Sequence, residues 1–158
     1  MTRRYYRFFI FLLLILFTGS YPGLGQILYD TLTVRKIKTG VDYMYNLDFD
    51  KALRIFSEVE KHYPGHPVNY LLKGIFSYWK HYPMLPTSAA HEEFENDLRK
   101  CMELCSAEPY SSKYESESLL ANVCSRGLLL LYYNDNDMSI KVIPLALCTF
   151  KFIMRSLY

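Results

Sequence analysis

The stretch KTGVDYMYNLDFDKALRIFSEVEKHYPGHPVNYLLKG, residues 38–74, contains two glycines within apolar patterns of helical spacing. These glycines, Gly40 and Gly74, occupy matching places in two successive patterns. A glycine inside a helix costs about 1 kcal/mol relative to alanine, so two glycines at matching positions indicate a packing requirement. A close crossing of two helices is such a requirement, because a side chain at the crossing point would hold the helices apart.

Apolar residues recur at helical spacing along the chain after Asp30, and almost no segment alternates as a strand does. This pattern predicts an all-α fold. We expect six helices, at residues 32–46, 50–62, 67–80, 88–106, 111–133 and 138–156. Short turns rich in proline or polar residues separate these helices, so the sequence predicts three helical hairpins.

The first predicted hairpin contains an ordered series of small, aromatic and proline residues: Gly40, Tyr43, Ala52, Phe56 and Pro64. Such a series, with a period of about 34 residues as between Gly40 and Gly74, is typical of the tetratricopeptide repeat. The chain therefore resembles a tetratricopeptide-repeat protein, most clearly over residues 33–66. This resemblance implies a helical-hairpin repeat, a tetratricopeptide-like α-solenoid of about three hairpins.

The later hairpins depart from the repeat pattern. In the second unit Tyr70 and Gly74 match it, but Ser77 stands where an aromatic residue is usual. The interval from Gly74 to Pro109 exceeds that from Gly40 to Pro64 by about 11 residues, which indicates an insertion around KHYPMLPTSAA. Because the third hairpin shows only a helical pattern, we describe the units as tetratricopeptide-like.

In the resembled family, the first helix of each hairpin lines a concave surface that holds a peptide or a protein. Matching the two glycines transfers this lining to eight residues: Ile37, Val41, Met44, Tyr45, Leu71, Ile75, Tyr78 and Trp79. The alternative is that these side chains form the core, as apolar residues at helical spacing commonly do. The resemblance therefore implies a protein or peptide partner and a scaffold function.

Residues 1–25 have the parts of a secretory signal peptide. Three arginines precede an apolar run over residues 8–17, and small or turn-forming residues follow it. A run of this length is too short to span a bilayer, which takes about 20 residues. We therefore expect residues 1–25 to be removed and residues 26–158 to form one exported domain, located in the periplasm, in the cell envelope or outside the cell. An uncleaved anchor is the alternative.

The charge of the mature domain argues against a nucleic-acid partner. Removal of the signal takes away three arginines and no acidic residue, which leaves 15 basic against 16 acidic side chains. The domain then has no stripe of lysine and arginine that would contact phosphates. We expect no nucleic acid among its partners.

Residues with catalytic potential do not form a recognisable site. The histidines lie near predicted helix ends and loops: His62, His66, His81 and His91. The sequence contains no Gly-x-Ser-x-Gly elbow, no P-loop and no His-Glu-x-x-His motif. We expect no catalytic residues and no cofactor, and an unrecognised helical enzyme is kept only as an alternative.

Four cysteines lie in the second half of the chain: Cys101, Cys105, Cys124 and Cys148. In an exported protein an even number of cysteines permits disulfides, and three full pairings are possible. Cys101 and Cys105 are one helical turn apart and point the same way. No histidine stands at a suitable ligand spacing, so we expect small apolar packing residues, with one bridge to Cys124 as an option, and no metal site.

The last predicted helix lies in MSIKVIPLALCTFKFIMRSLY, residues 138–158, which is apolar on nearly all sides and contains Pro144. Such a helix requires burial, whereas the terminal unit of a repeat protein has a polar outer face. One explanation is that the natural product continues into further repeats. The other is that residues 138–158 contact another subunit or a membrane, which makes a structural subunit of an envelope assembly the second function considered.

Overall fold

A computed structural model describes residues 27–107 and 115–156, and all regular secondary structure in these two ranges is helical. A short 3-10 turn, Ile27–Tyr29, precedes six α-helices. They are α1 (Thr31–Tyr45), α2 (Phe49–His62), α3 (Pro67–Lys80), α4 (Ala89–Ala107), α5 (Glu115–Asp135) and α6 (Ser139–Ser156). The predicted all-α class is confirmed for the described part of the chain, and the predicted signal at residues 1–25 lies outside it.

The start of α1 is fixed by the side chain of Asp30. Its carboxylate accepts hydrogen bonds from the backbone N–H groups of Leu32 at 3.0 Å and Thr33 at 3.3 Å. The hydroxyl groups of Thr33 and Tyr63 donate to the same carboxylate at 2.6 Å and 2.8 Å, and these bonds hold the pKa of Asp30 at about 2. The cap therefore also ties α1 to the residue that follows α2.

The turn between α2 and α3 follows the predicted proline-glycine boundary. Gly65 has a φ of 75°, a left-handed conformation that costs glycine little because it has no Cβ. His66 then caps α3, with its Nδ1 accepting the backbone N–H of Val68 at 3.2 Å. Pro67 opens the helix, where its missing N–H and fixed φ are well tolerated.

Gly40 and Gly74, the two glycines at matching positions of the helical pattern, lie at helix crossings. A Cβ added at Gly40 of α1 would lie 2.6 Å from Cε1 of Phe56 in α2. A Cβ added at Gly74 of α3 would overlap the side chain of Leu98 in α4. Each glycine therefore meets the second helix of its own hairpin, and the predicted contact role is confirmed.

These contacts also locate the insertion in the second hairpin. The stretch of chain from Gly74 to Leu98 is longer than the stretch from Gly40 to Phe56. The additional residues between the crossing positions lie in and around the loop at residues 81–88. The rest of the predicted insertion falls after Leu98.

The hairpins stack in chain order. Helix α1 packs on α2, α3 packs on α4, and α5 packs on α6. Helix α3 also contacts α1 and α5, so the first helices of the three hairpins form one row. One core cluster joins α1, α2 and α3, and a second joins α3, α4, α5 and α6.

Two of the cysteines are core residues. Cys101 and Cys105 of α4 are buried beside Ala121 of α5, and Tyr70 and Leu71 of α3 pack against this group. All four cysteines are free thiols, with Cys124 and Cys148 exposed. The packing role predicted for Cys101 and Cys105 is confirmed, and the optional bridge to Cys124 is not formed.

Helix α6 is buried on one side only. It packs on the second core cluster through Val142 and Leu145, together with Met138 directly before it. Large apolar residues on another side are exposed and recur at intervals of three and four residues; this α6 stripe consists of Ile140, Ile143, Leu147, Phe150 and Met154. None of the helices described here combines the length and hydrophobicity that a membrane span requires.

Candidate functional site

Four aromatic side chains meet where the row of first helices ends. This aromatic cluster consists of Tyr45 at the end of α1, Tyr78 and Trp79 at the end of α3, and Tyr82 in the following loop. The ring centroids of Tyr45 and Trp79 are 5.5 Å apart across the boundary between α1 and α3. Trp79 lies 5.8 Å from Tyr78 and 6.1 Å from Tyr82. The cluster thus joins two successive hairpins.

Three members of the aromatic cluster are accessible. The exposed fraction is 63% for Tyr45, 40% for Trp79 and 59% for Tyr82, against 3% for Tyr78. The Tyr45 and Trp79 rings meet edge to face, an arrangement that stabilises such pairs by about 0.5–1.5 kcal/mol beyond their buried area. Mutual contact therefore restrains large aromatic side chains that still offer apolar area to a partner.

Tyr78 anchors the cluster to the core. Its hydroxyl donates to Oδ2 of Asp135, the last residue of α5, at 2.9 Å. Its ring lies 5.9 Å from Phe94 in the second core cluster. Burial, followed by the bond to Asp135, raises the pKa of Tyr78 above its ordinary value, which keeps the hydroxyl protonated as a donor.

The electrostatics at this end of the helix row favour positive charge. The Tyr45–Trp79 contact and the Tyr78–Asp135 bond bring the carboxyl ends of α1, α3 and α5 together. The carboxyl end of a helix has a partial negative charge; α1 and α5 have no basic residue in the last turn, whereas α3 has Lys80 there. Asp135 adds a carboxylate. Lys80 offsets only part of the charge of Asp135 and the three helix ends, so the surface is apolar at its rings and has a net negative charge beside them.

The eight residues predicted to line a partner groove fall into three groups. Tyr45 and Trp79 are exposed, and Met44 and Tyr78 are buried. The other four are partly buried against the core: Ile37, Val41, Leu71 and Ile75. Met44 and Tyr78 therefore have the core role that the sequence analysis gave as the alternative. Tyr45 and Trp79 alone among the eight offer a partner a large accessible ring.

The prediction omitted two residues of this site. Tyr82 lies in the insertion after α3, outside the matched repeat positions, although its spacing of four residues from Tyr78 could have suggested a shared face. Asp135 is 57 residues from Tyr78 in sequence, and no local signal relates the two.

His66 is the most buried histidine and has a structural role. Its Nε2 lies 3.7 Å from Oε1 of Glu117, and both side chains are 5% exposed. Burial outweighs the nearby carboxylate and lowers the pKa of His66 to about 4, while burial raises the pKa of Glu117. Because Nδ1 caps α3, His66 serves the fold, and it lies at a helix end as predicted.

The remaining titratable groups do not form a metal site within residues 27–107 and 115–156. No group of three or more histidine, cysteine, aspartate and glutamate side chains in these ranges is arranged to hold a metal ion. His91, for example, stacks on Tyr132 with ring centroids 5.0 Å apart, and its Nε2 is 3.6 Å from Glu95. These contacts are those of a packed helix surface.

The chain has no match that would assign a function to the aromatic cluster. No family model, no curated protein and no solved structure matches it.

Proposed function

We propose that this protein is an exported tetratricopeptide-like scaffold that binds a peptide or protein segment at the aromatic cluster. The contact between Tyr45 and Trp79 is the main support, because it places exposed rings from two successive first helices side by side. A segment lying across the helix row would contact both rings. Tryptophan and tyrosine often dominate binding energies because they bury a large area at little entropic cost.

The packing of the hairpins supports the tetratricopeptide-like part of this proposal. Gly40 and Gly74, one repeat period apart, each meet the second helix of their hairpin. Helices α1, α3 and α5 form the row that lines the binding surface in the resembled family. Export is proposed from the sequence of residues 1–25.

The chemistry of the surface defines the partner segment. An apolar side chain would pack against Trp79, and a lysine or arginine beside it would face the helix carboxyl ends and Asp135. Exposed aromatic faces also attract such cations, by about 0.5–1 kcal/mol for a pair. We therefore propose that the preferred segment contains an apolar residue next to a basic residue.

Selection from a library of displayed random peptides tests this function. Peptides enriched on the parent protein should contain the apolar-basic pair, and Tyr45→Ala and Tyr82→Ala should each weaken their binding. Tyr29→Ala is the matched control, since Tyr29 is a 76% exposed tyrosine outside the cluster. A failure to enrich any peptide, or equal binding by all three variants, would reject the proposed site.

Export has a separate test. If residues 1–25 are removed, the intact mass of the natural protein recovered from the envelope or the medium should correspond to a chain that starts at or near Gln26. A mass that includes Met1 would support the anchored alternative instead.

The α6 stripe favours a second function, a structural subunit that attaches to another subunit or to a membrane through α6. Its five side chains include Ile140, which is 89% exposed, and contiguous apolar surfaces of this kind mark interaction sites. This function predicts that Leu147→Ser disrupts attachment and leaves peptide binding at the aromatic cluster unchanged. Light scattering of the parent protein and of Leu147→Ser, each with and without detergent, measures that attachment.

A further inference from the structure

A groove with a volume of about 620 Å³ lies between α4, α5 and α6. Ligand sites commonly have volumes of about 300–1,000 Å³. Helix α6 contributes Lys141, Leu145 and Cys148, which share a face that is distinct from the α6 stripe. No residue of the aromatic cluster lines the groove, so it is a separate candidate site.

Cationic side chains border the groove: Arg99, Arg126 and Lys141. Two of them share one carboxylate, because Glu95 lies 2.9 Å from Nζ of Lys141 and 3.5 Å from Nη2 of Arg99. Glu103, a carboxylate of the lining, already pairs with a neighbouring lysine at 3.0 Å. Positive charge therefore exceeds negative charge at the groove.

The side chain of Arg126 is held in place by two neighbouring residues. Its Nε donates to Oδ1 of Asn122 at 2.7 Å, and its guanidinium lies 5.0 Å from the ring centroid of Phe152. In the described part of the chain, no carboxylate lies within ion-pair distance of this guanidinium, and its terminal nitrogens make no hydrogen bond. A guanidinium held through Nε presents two parallel donors that match a carboxylate or a phosphate.

The floor of the groove is apolar, with Met102, Pro144 and Leu145 among its accessible residues. The helix backbones beneath it bond internally and offer few free donors or acceptors. An extended peptide would need a partner, from side chains or from water, for each backbone group that it buries in the groove. An alkyl chain has no such groups.

We propose that this groove binds an amphipathic anion with an alkyl chain, such as a fatty-acid carboxylate or a single-chain lipid phosphate. The anionic head contacts Arg126, with Lys141 and Arg99 nearby, and the alkyl chain lies over Met102 and Leu145. This site is independent of the peptide site at the aromatic cluster, so either can fail without the other.

Two exposed thiols make the proposal measurable in the full-length, reduced protein. Cys148 lines the groove, whereas Cys124 is exposed on α5 outside it. Alkylation by N-ethylmaleimide is followed at each cysteine by mass spectrometry, with dodecanoate or dodecyl phosphate added below its micelle concentration. At a probe concentration of twice its Kd, the Cys148 rate should fall about threefold, because only the empty groove reacts, while the Cys124 rate stays unchanged.

Variants test whether the anionic head contacts Arg126 and whether the probe binds in the groove. Arg126→Gln should raise the Kd of the anionic probes about tenfold, the effect of losing a charged hydrogen bond of about 1.4 kcal/mol. Arg54→Gln, at an exposed arginine of α2, is the matched control and should not change it. Leu147→Ser should also retain protection, which excludes adsorption to the α6 stripe.

The outcomes are distinguishable. Protection by both anions, or by one of them, supports the proposal. A difference between the two identifies the preferred head group. Equal protection by dodecylamine, which has the same alkyl chain and a cationic head, would overturn it. An unchanged Cys148 rate with both anions would also overturn it, as would full protection of an Arg126→Gln protein whose circular dichroism matches the parent.

Discussion

The first and third hairpins join their helices by different means. At the first crossing Gly40 has no side chain, and Phe56 of the partner helix occupies that space. In the third hairpin Gly127 of α5 is exposed, and a Cβ there would meet no atom within 4 Å. Apolar side chains hold α6 instead: Met138, Val142 and Leu145. A glycine in a helix thus marks a crossing only where another helix approaches it.

The outer faces of α2 and α6 also differ. Helix α2 exposes mainly charged residues, including Lys51, Arg54 and Glu58. Helix α6 exposes the α6 stripe, in which Ile140 is 89% and Phe150 is 63% accessible. Charged residues interact favourably with water, whereas a row of large apolar residues favours association. The outer face of the third hairpin therefore exposes more large apolar side chains than the outer face of α2 does.

Replacing a helical glycine with leucine should change stability differently in the three hairpins, and this is the largest effect that we expect. Gly40→Leu and Gly74→Leu should each destabilise the protein by about 1–3 kcal/mol, since the added atoms would overlap Phe56 or Leu98. Gly127→Leu should be neutral or stabilising by up to about 1 kcal/mol, because leucine favours the helix and space is available. Thermal melts followed by circular dichroism compare the three; equal melting temperatures would show that the crossings are wrongly assigned.

Polar substitutions on the α6 stripe should make the outer face of α6 behave like that of α2, with less association. Leu147→Ser and Phe150→Ser should reduce self-association or detergent binding of the purified protein, because both side chains are more than half exposed. Leu53→Ser, at a 48% exposed leucine of α2, is the control and should have little effect. Size-exclusion chromatography with light scattering decides; a parent protein that is monomeric without detergent would contradict the prediction.

Lowering the pH should destabilise the folded protein through His66, by less than the substitutions above do. Between pH 6.5 and about 4 the unfolded chain protonates His66 while the folded protein does not, so stability is lost as the pH falls through this window. The raised pKa of Glu117 opposes this loss above 4.5, because the folded protein then binds its proton more readily than the unfolded chain.

His66→Asn keeps a capping side chain and removes the histidine titration. The melting temperature of the parent should therefore fall more between pH 7 and pH 5 than that of His66→Asn. Glu117→Gln, which removes the opposing group, should make the loss steeper. Parallel curves for the parent and His66→Asn would exclude His66 as the source.

The helix bounds were predictable because their signals are local. Helix α3 begins at Pro67 and ends at Lys80, as predicted from the flanking turns. Gly40 and Gly74 could also be assigned to crossings, since glycine at a matching period inside two helices needs a packing reason. The helix bounds follow from neighbouring residues, and the crossings follow from the spacing of the two glycines along the chain.

The exposure of the candidate site could not be predicted in the same way. Met44 and Tyr45 are adjacent, yet the first is 1% and the second 63% exposed. Successive residues point about 100° apart around a helix, so the approach of α2 and α3 decides which one is covered. The bond from Tyr78 to Asp135 and the contact of the Arg126 guanidinium with the Phe152 ring likewise depend on helices that are distant in sequence.

Trp79→Ala tests most directly whether the aromatic cluster is a binding surface. The variant and the parent are melted and then titrated, below both melting temperatures, with the peptide selected on the parent. Because Trp79 is 40% exposed and contacts mainly other cluster rings, we expect a small change in melting temperature. Its loss should raise the Kd about tenfold or more, as expected for an aromatic residue that dominates an interface. A variant that melts far below the parent and binds the peptide equally well would place Trp79 in the core and contradict the proposed function.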